Sequence, residues 1–229
     1  MKGFFVTGTD TGCGKTEVSL GLIQALRQQG PKVQGMKPVA SGCEAGPQGP
    51  RNADAQRLLA QSSCRVPYDW VNPYAFIPPI APHIAAREAG VEIGLDLIRE
   101  RAAALAAAAD LLVVEGVGGW RVPLGSGLAV SDLPRALGLP VILVVGLRLG
   151  CLNHAALTAE SILACGCHLA GWVANQIDPD LARYEENLVT LSALIPAPRL
   201  GFIPWLGQST GGVEPETWAS HLAIGKIWP

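Results

Sequence analysis

Basic runs are missing from this sequence: its 17 lysines and arginines are scattered among 19 acidic residues, and the formal net charge is −2. No stripe of positive charge is available to neutralise a row of phosphates, so nucleic acid is not an expected partner. Long apolar runs are missing too. Gly, Pro or a charged residue interrupts every candidate before the roughly 18 residues that a membrane span needs, and no membrane association is expected. Met1-Lys2-Gly3 leads straight into a short apolar strand, without the longer apolar segment and small-residue cleavage site of a secretory signal. The expected setting is soluble and cytoplasmic. The six cysteines, Cys13, Cys43, Cys64, Cys151, Cys165 and Cys167, have neither the paired spacing of a zinc site nor the density of a disulfide scaffold. Cys165 and Cys167 are the only close pair, and with no second cluster beside them they read as packing.

What is present suits a compact fold. Hydrophobic residues make up 49% of the 229 and charged residues 16%, enough to bury a sheet under helices and far from a disordered composition. The length fits one domain spanning 1–229 better than two. Short apolar runs recur at 4–7, 32–36, 111–115, 141–145, 169–174 and 199–203, and each reads as a strand. Helical periodicity marks 17–28, 95–108, 152–164 and 181–194. Strand, helix and strand in alternation imply crossover connections, hence an α/β fold in three layers with a mostly parallel central sheet and helices on both faces. The runs at 111 and 141 are continuously apolar, as burial on both faces requires, and belong at the centre of the sheet. Two loop regions break the pattern: 38–52, rich in Gly, Ser and Pro, and 72–82, with four prolines. Loops of that length in a compact domain are commonly functional.

Ligands of such sheets collect beyond the carboxyl ends of the strands. After the first strand comes Gly8-Thr-Asp-Thr-Gly12-Cys-Gly14-Lys15-Thr16, then a good helix former. A strand, a glycine-bearing turn and a helix start aim backbone N–H groups at one point where the helix dipole also favours negative charge. This is a P-loop, and it makes the fold one of the P-loop NTPase type. Gly12, Cys13 and Gly14 would cradle phosphate, Lys15 would reach the terminal phosphates, and the Thr16 hydroxyl, with Glu17 beside it, would face Mg²⁺ and nucleotide. Taken singly, the glycines could make only a tight turn and Thr16 could merely open a helix. Glu115 ends the apolar run before it, so a carboxylate emerges from a buried strand at the position where Mg²⁺ needs an acid.

The loop carries Thr9 where the plain pattern has glycine, as in the branch that includes dethiobiotin synthetase, the MinD and ParA ATPases and the nitrogenase iron protein. Switch-type members of that branch carry an extra lysine where this chain has Asp10, which argues against a nucleotide switch. Eight segments then resemble the dethiobiotin synthetase family in order and spacing: TGTDT at 7–11, KPVASG at 37–42, NPY at 72–74, PH at 82–83, VEGVGGW at 114–120, LGCLNH at 149–154, WVAN at 172–175 and IPWL at 203–206. Only the P-loop among them would be decisive alone; their joint occurrence is specific.

The resemblance implies an ATP- and Mg²⁺-dependent ligase that joins CO₂ to 7,8-diaminononanoate through a carbamate and a carbamic-phosphoric mixed anhydride, closing a ureido ring. It makes Lys37, Lys15 and Thr11 the catalytic residues. By position alone, Lys37 could be an exposed lysine at a strand end. The resemblance also implies that Thr16, Asp54 and Glu115 hold the metal, Asp54 being otherwise a carboxylate at a helix start. It assigns ATP to the P-loop together with Glu115, Gly116, Val117, Gly118, Asn175, Gln176, Pro204, Trp205 and Leu206. Asn175 reads the adenine edge in that scheme, although an asparagine there can also cap a turn. Substrate falls to Ser41, Gly118 and the helix start Gly150, Cys151, Leu152 and Asn153, whose free N–H groups suit a carboxylate. In the family that helix start comes from the neighbouring subunit, so the resemblance implies a homodimer with an active site at the interface. A further carboxylate contact falls near Asn187, with Tyr184 one turn earlier. His83 and His154 are not expected to act as acids or bases, and His83 is expected to hydrogen-bond locally.

Overall fold

The structure is a computed structural model that describes residues 1–207 and 213–227. The six apolar runs fold as strands β1 (Gly3–Gly8), β2 (Val33–Met36), β5 (Leu111–Glu115), β8 (Val141–Leu147), β9 (Leu169–Gln176) and β10 (Arg199–Ile203). They form one sheet in the order β10-β9-β8-β1-β5-β2, and every neighbouring pair is parallel. Two-residue strands β3 (Val39–Ala40) and β4 (Tyr74–Ala75) pair beside it, and β6 (Pro123–Gly125) with β7 (Leu128–Ala129) makes a small antiparallel ribbon.

Side chains alternate strictly between the two faces, as strand geometry demands. Phe4, Val6, Leu111, Val113, Ile142 and Val144 face one layer, built on helix α1 (Lys15–Gln28) and α9 (Pro215–Ser220), where Trp218 is buried. Phe5, Leu112 and Val114 face α4 (Pro82–Glu88), α5 (Leu95–Ala108) and α6 (Asp132–Leu137). Val141, Leu143, Val145, Trp172 and Ala174 continue that second layer over α7 (Cys151–Ala164) and α8 (Tyr184–Leu194). Leu111 to Glu115 and Val141 to Leu147 are buried at every position, which is why these strands read as continuous apolar runs. The short helices α2 (Ala53–Gln61) and α3 (Tyr68–Val71) follow β3. Asn52 caps α2 by accepting the N–H of Ala55 at 3.2 Å, which starts the helix and sets Asp54 in its first turn. No helix among the described residues is long and apolar enough to cross a membrane.

The order matters for function because β1 lies between β5 and β8. The chain leaves β1 for β2 beyond β5 and later crosses to β8 on the other side, so the loop after β1 opens at the reversal of strand order. That is where parallel sheets leave a crevice.

Candidate active site

The P-loop is shaped by two residues in the left-handed region, Gly12 at φ 76° and Gly14 at φ 89°. Gly14 also has no room for a side chain, since a Cβ there would lie 1.9 Å from the Asn175 amide nitrogen. That amide donates to the Cys13 carbonyl at 3.0 Å, so the end of β9 holds the loop from behind. On the other side the Thr9 N–H donates to Val144 O at 3.0 Å, tying the loop to β8. Lys15 is buried at the start of α1, and its ammonium donates to the Asp10 carbonyl at 2.9 Å, folded over the turn it serves. Asp10 itself pairs with Arg148, from the turn before α7, and accepts the Thr11 N–H at 2.7 Å.

Lys37 follows β2 and Glu115 closes β5, two strands paired in parallel register, which brings both side chains to one edge. The Lys37 ammonium lies 2.7 Å from Glu115 Oε1 and 2.5 Å from Asp54 Oδ2. The Thr16 hydroxyl donates to the same Glu115 oxygen at 3.0 Å. Burial works against charge on Lys37, yet Glu115 and Asp54 together outweigh it and hold the ammonium above the ordinary lysine range. Burial would push the Asp54 carboxyl up, but Lys37, Thr16 and Arg57 outweigh it and hold the carboxyl below the usual carboxylate range. Both groups are therefore charged at neutral pH. Asn72 donates to the Lys37 carbonyl at 2.7 Å and fixes the turn in which the lysine is carried.

Whether the set suits Mg²⁺ is a question of donor chemistry. A hydroxyl and two carboxylates converge, all hard oxygens, and Glu115 Oε2 is buried with no hydrogen-bond partner among the described residues. An acceptor left bare in the interior is costly unless a cation or donor reaches it, so the residues present fit a small divalent ion that retains some of its waters.

A cleft of about 470 Å³ runs over this cluster. Thr11, Gly12, Gly14, Lys15, Thr16, Glu17, Lys37, Ser41, Asp54, Glu115, Val117, Gly118, Asn175, Gln176, Pro204, Trp205 and Leu206 all line it. Ser41 Oγ is buried there without a hydrogen-bond partner among the described residues. Cys13 and Gly116 lie behind the wall: Cys13 is 1% exposed, and a Cβ on Gly116 would press on Phe5 and Val130. Gly150, Cys151, Leu152 and Asn153 do start a helix as expected, but within one chain they do not reach the cleft. Tyr184 stacks on Phe202 with ring centroids 5.6 Å apart, and neither it nor Asn187 lines the cleft. The local hydrogen bond expected of His83 does not form at Nδ1, which is buried without a partner in the described residues. Five lining residues among those described lie outside the set read from the sequence: Asn52, Ile177, Ile203, Gly207 and Trp218. Asn52 looked like part of a loop, and its capping position before an Ala-Asp pair was the available signal. Trp218 lies beyond the last alignable motif and comes back over the cleft from α9.

A glycine turn at a helix start, a buried lysine on each side of it and an acidic pair with a hydroxyl define a P-loop nucleotide-dependent enzyme. The family model described as an AAA domain matches residues 2–212. The ATP-dependent dethiobiotin synthetase BioD of Pseudomonas aeruginosa (strain UCBPP-PA14) is 55% identical over 228 residues, 99% of this chain and 98% of that one. The protein of the same name from Xylella fastidiosa (strain 9a5c) is 50% identical over 222 residues, 97% of each. The chain belongs to the dethiobiotin synthetase family, a family of ATP-dependent ligases. Among solved structures, the MinC:MinD cell division protein complex of Aquifex aeolicus aligns with a TM-score of 0.58 at 13% identity, over 98% of this chain and 87% of that one. A ParA family ATPase from Chlorobium tepidum TLS aligns at 0.56 and 14%, over 100% and 94%. At that identity the likeness is one of fold.

Proposed function

We propose that the protein synthesises dethiobiotin from 7,8-diaminononanoate, CO₂ and ATP, releasing ADP and phosphate. The observation that carries this reading is the Lys37 ammonium held between Glu115 and Asp54 beside the P-loop. Carbamate and triphosphate are both anions and repel each other, so a site that joins them needs positive charge between them.

In the first step one substrate amine attacks CO₂, forming a C–N bond and losing a proton, to give the carbamate. A carbamate oxygen then attacks the γ-phosphorus; the new O–P bond forms as the bond to the β-phosphate oxygen breaks, and ADP leaves. The second amine attacks the carbonyl of the resulting mixed anhydride, phosphate departs, and the ureido ring closes. Lys15 turns from the Asp10 carbonyl to the β- and γ-phosphates, and Lys37 lies between the γ-phosphate and the carbamate. Thr11 and Ser41 bind the amine and carbamate end, which gives the bare Ser41 hydroxyl a partner. Thr16, Asp54 and Glu115 would hold Mg²⁺, which when bound supplies charge neutralisation at the phosphates. Asn175 spends one N–H on Cys13 and keeps its carbonyl and second N–H for the adenine edge. Gln176 and the segment Pro204, Trp205, Leu206 enclose the base. Gly150 to Asn153 serve the substrate carboxylate from the neighbouring subunit of a homodimer, consistent with their distance from the cleft of their own chain.

Purified protein given the diamine, bicarbonate, Mg²⁺ and ATP should form dethiobiotin and ADP in equal amounts. ATP turnover that ignores the diamine would defeat the proposal.

A further inference from the structure

We propose that Tyr68 is a positioning residue for phosphoryl transfer, tying together the three segments that carry Lys37, Asp54 and Ser41. The inference rests on the ligase reading and names what sets the geometry of its cationic centre. Tyr68 opens α3 and lies outside the cleft that Lys37, Ser41, Asn52 and Asp54 line. Its hydroxyl accepts the Asn52 N–H at 2.8 Å and donates to Asn72 Oδ1 at 2.9 Å.

Each of those bonds leads to a charged group of the site. Asn52 is the N-cap of α2, whose first turn presents Asp54. Asn72 donates to the Lys37 carbonyl, and the Lys37 N–H donates to Val71 O at 2.8 Å, so both backbone groups of the lysine are held by the end of α3 and the residue after it. With the Lys37 ammonium on Asp54 the path becomes a closed circuit: the two side chains meet at one end, and the Tyr68 hydroxyl joins their supports at the other. Over the Tyr68 ring lies the Arg51 guanidinium, 4.1 Å from the centroid. Arg51 and Glu44 exchange two backbone hydrogen bonds of 2.8 Å, which closes the loop that follows Ser41. A lysine stem is flexible, so its reach toward carbamate and phosphate depends on where its backbone stands. A misplacement of about 1 Å can cost about a hundredfold in rate. Asn52 and Asn72 are buried, so water does not readily replace the hydroxyl between them.

The test compares wild type, Tyr68→Phe and Tyr74→Phe in single-turnover dethiobiotin formation, in KM for ATP and in ADP binding by calorimetry. Tyr68→Phe keeps the ring under Arg51 and removes only the hydroxyl. Tyr74→Phe is the control, because it also removes a hydroxyl that takes a backbone N–H, that of Gly94 at 3.0 Å, away from the Lys37 and Asp54 circuit. Tyr68→Phe should slow the single turnover about tenfold, with KM for ATP and ADP affinity unchanged, since the P-loop and base pocket do not hang on Tyr68. Tyr74→Phe should leave the turnover rate unchanged. If the hydroxyl acts through Asn72, Tyr68→Phe should cost less when added to Asn72→Ala than when made in wild type. An unchanged rate in Tyr68→Phe, or an equal loss in Tyr74→Phe, would overturn the proposal. So would loss of ADP binding in step with the rate, which marks a general loosening of the fold. Wild type that makes no ureido product from the diamine would instead overturn the function on which the proposal rests.

Discussion

Replacing Lys37 by alanine should damage the protein twice, once in chemistry and once in stability. The Lys37 side chain is 6% exposed and that of Glu115 is 0%, at 2.7 Å. Without the ammonium, Glu115 keeps only the Thr16 hydroxyl on Oε1 and nothing on Oε2 among the described residues. Removing one member of a buried ion pair strands the other charge and costs about 3–5 kcal/mol. A chain of this size loses roughly 2–4 °C of Tm per kcal/mol, so Tm should fall by roughly 6–20 °C. Adding Glu115→Gln to Lys37→Met removes the stranded charge and should recover much of that loss. Differential scanning fluorimetry reads both. Mg²⁺ with ATP should raise the Tm of Lys37→Ala, because ligands that bind only the folded state stabilise it. Dethiobiotin formation by Lys37→Ala should vanish while ATP still binds. A Tm within about 1 °C of wild type, or near-normal product formation, would refute the reasoning.

Gly14→Ala should abolish ATP binding measured by calorimetry, because its Cβ meets the Asn175 amide at 1.9 Å and its φ of 89° is strained for alanine. Asn175→Ala should raise KM for ATP about tenfold by freeing the Cys13 carbonyl and removing the base contact, with a smaller effect on kcat. The Lys37 and Asp54 pair should leave Tm flat between roughly pH 6 and pH 9. The depressed Asp54 carboxyl contributes stability that is present above its unfolded pKa and lost as pH falls through the folded one. The raised Lys37 contribution is present below its unfolded pKa and lost only as pH rises through the folded one. Tm of wild type should therefore drop more steeply in acid than that of Asp54→Asn.

The elements legible in the sequence were those whose burial leaves a periodic mark. The runs at 111–115 and 199–203 match β5 and β10 at both ends, because each is bounded by turn or polar residues. The helix read over 181–194 begins at Tyr184 instead: Arg183 takes a left-handed φ of 58° as its N-cap, and periodicity carries no sign of that. Strand order was not legible, since it depends on which crossovers pack where. Nor was the meeting of Lys37 with Asp54 and Glu115, which lie 17 and 78 residues away in the chain. Motif order indicated that these residues belong to one site, whereas the parallel register of β2 and β5 is what joins them. The starts of α2 and α4 were legible at Asp54 and Pro82, but Asn52 read as the last residue of the loop before α2. Helices α3, α6 and α9 have too few turns for periodicity to register, so Trp218 on α9 went unnoticed.

The most direct measurement follows oxygen from bicarbonate. If the γ-phosphoryl group passes to a carbamate oxygen between Lys37 and the P-loop, ¹⁸O-bicarbonate should leave one labelled oxygen in each inorganic phosphate formed, sampled before the label exchanges with water. Phosphate free of label, alongside normal dethiobiotin formation, would contradict the account.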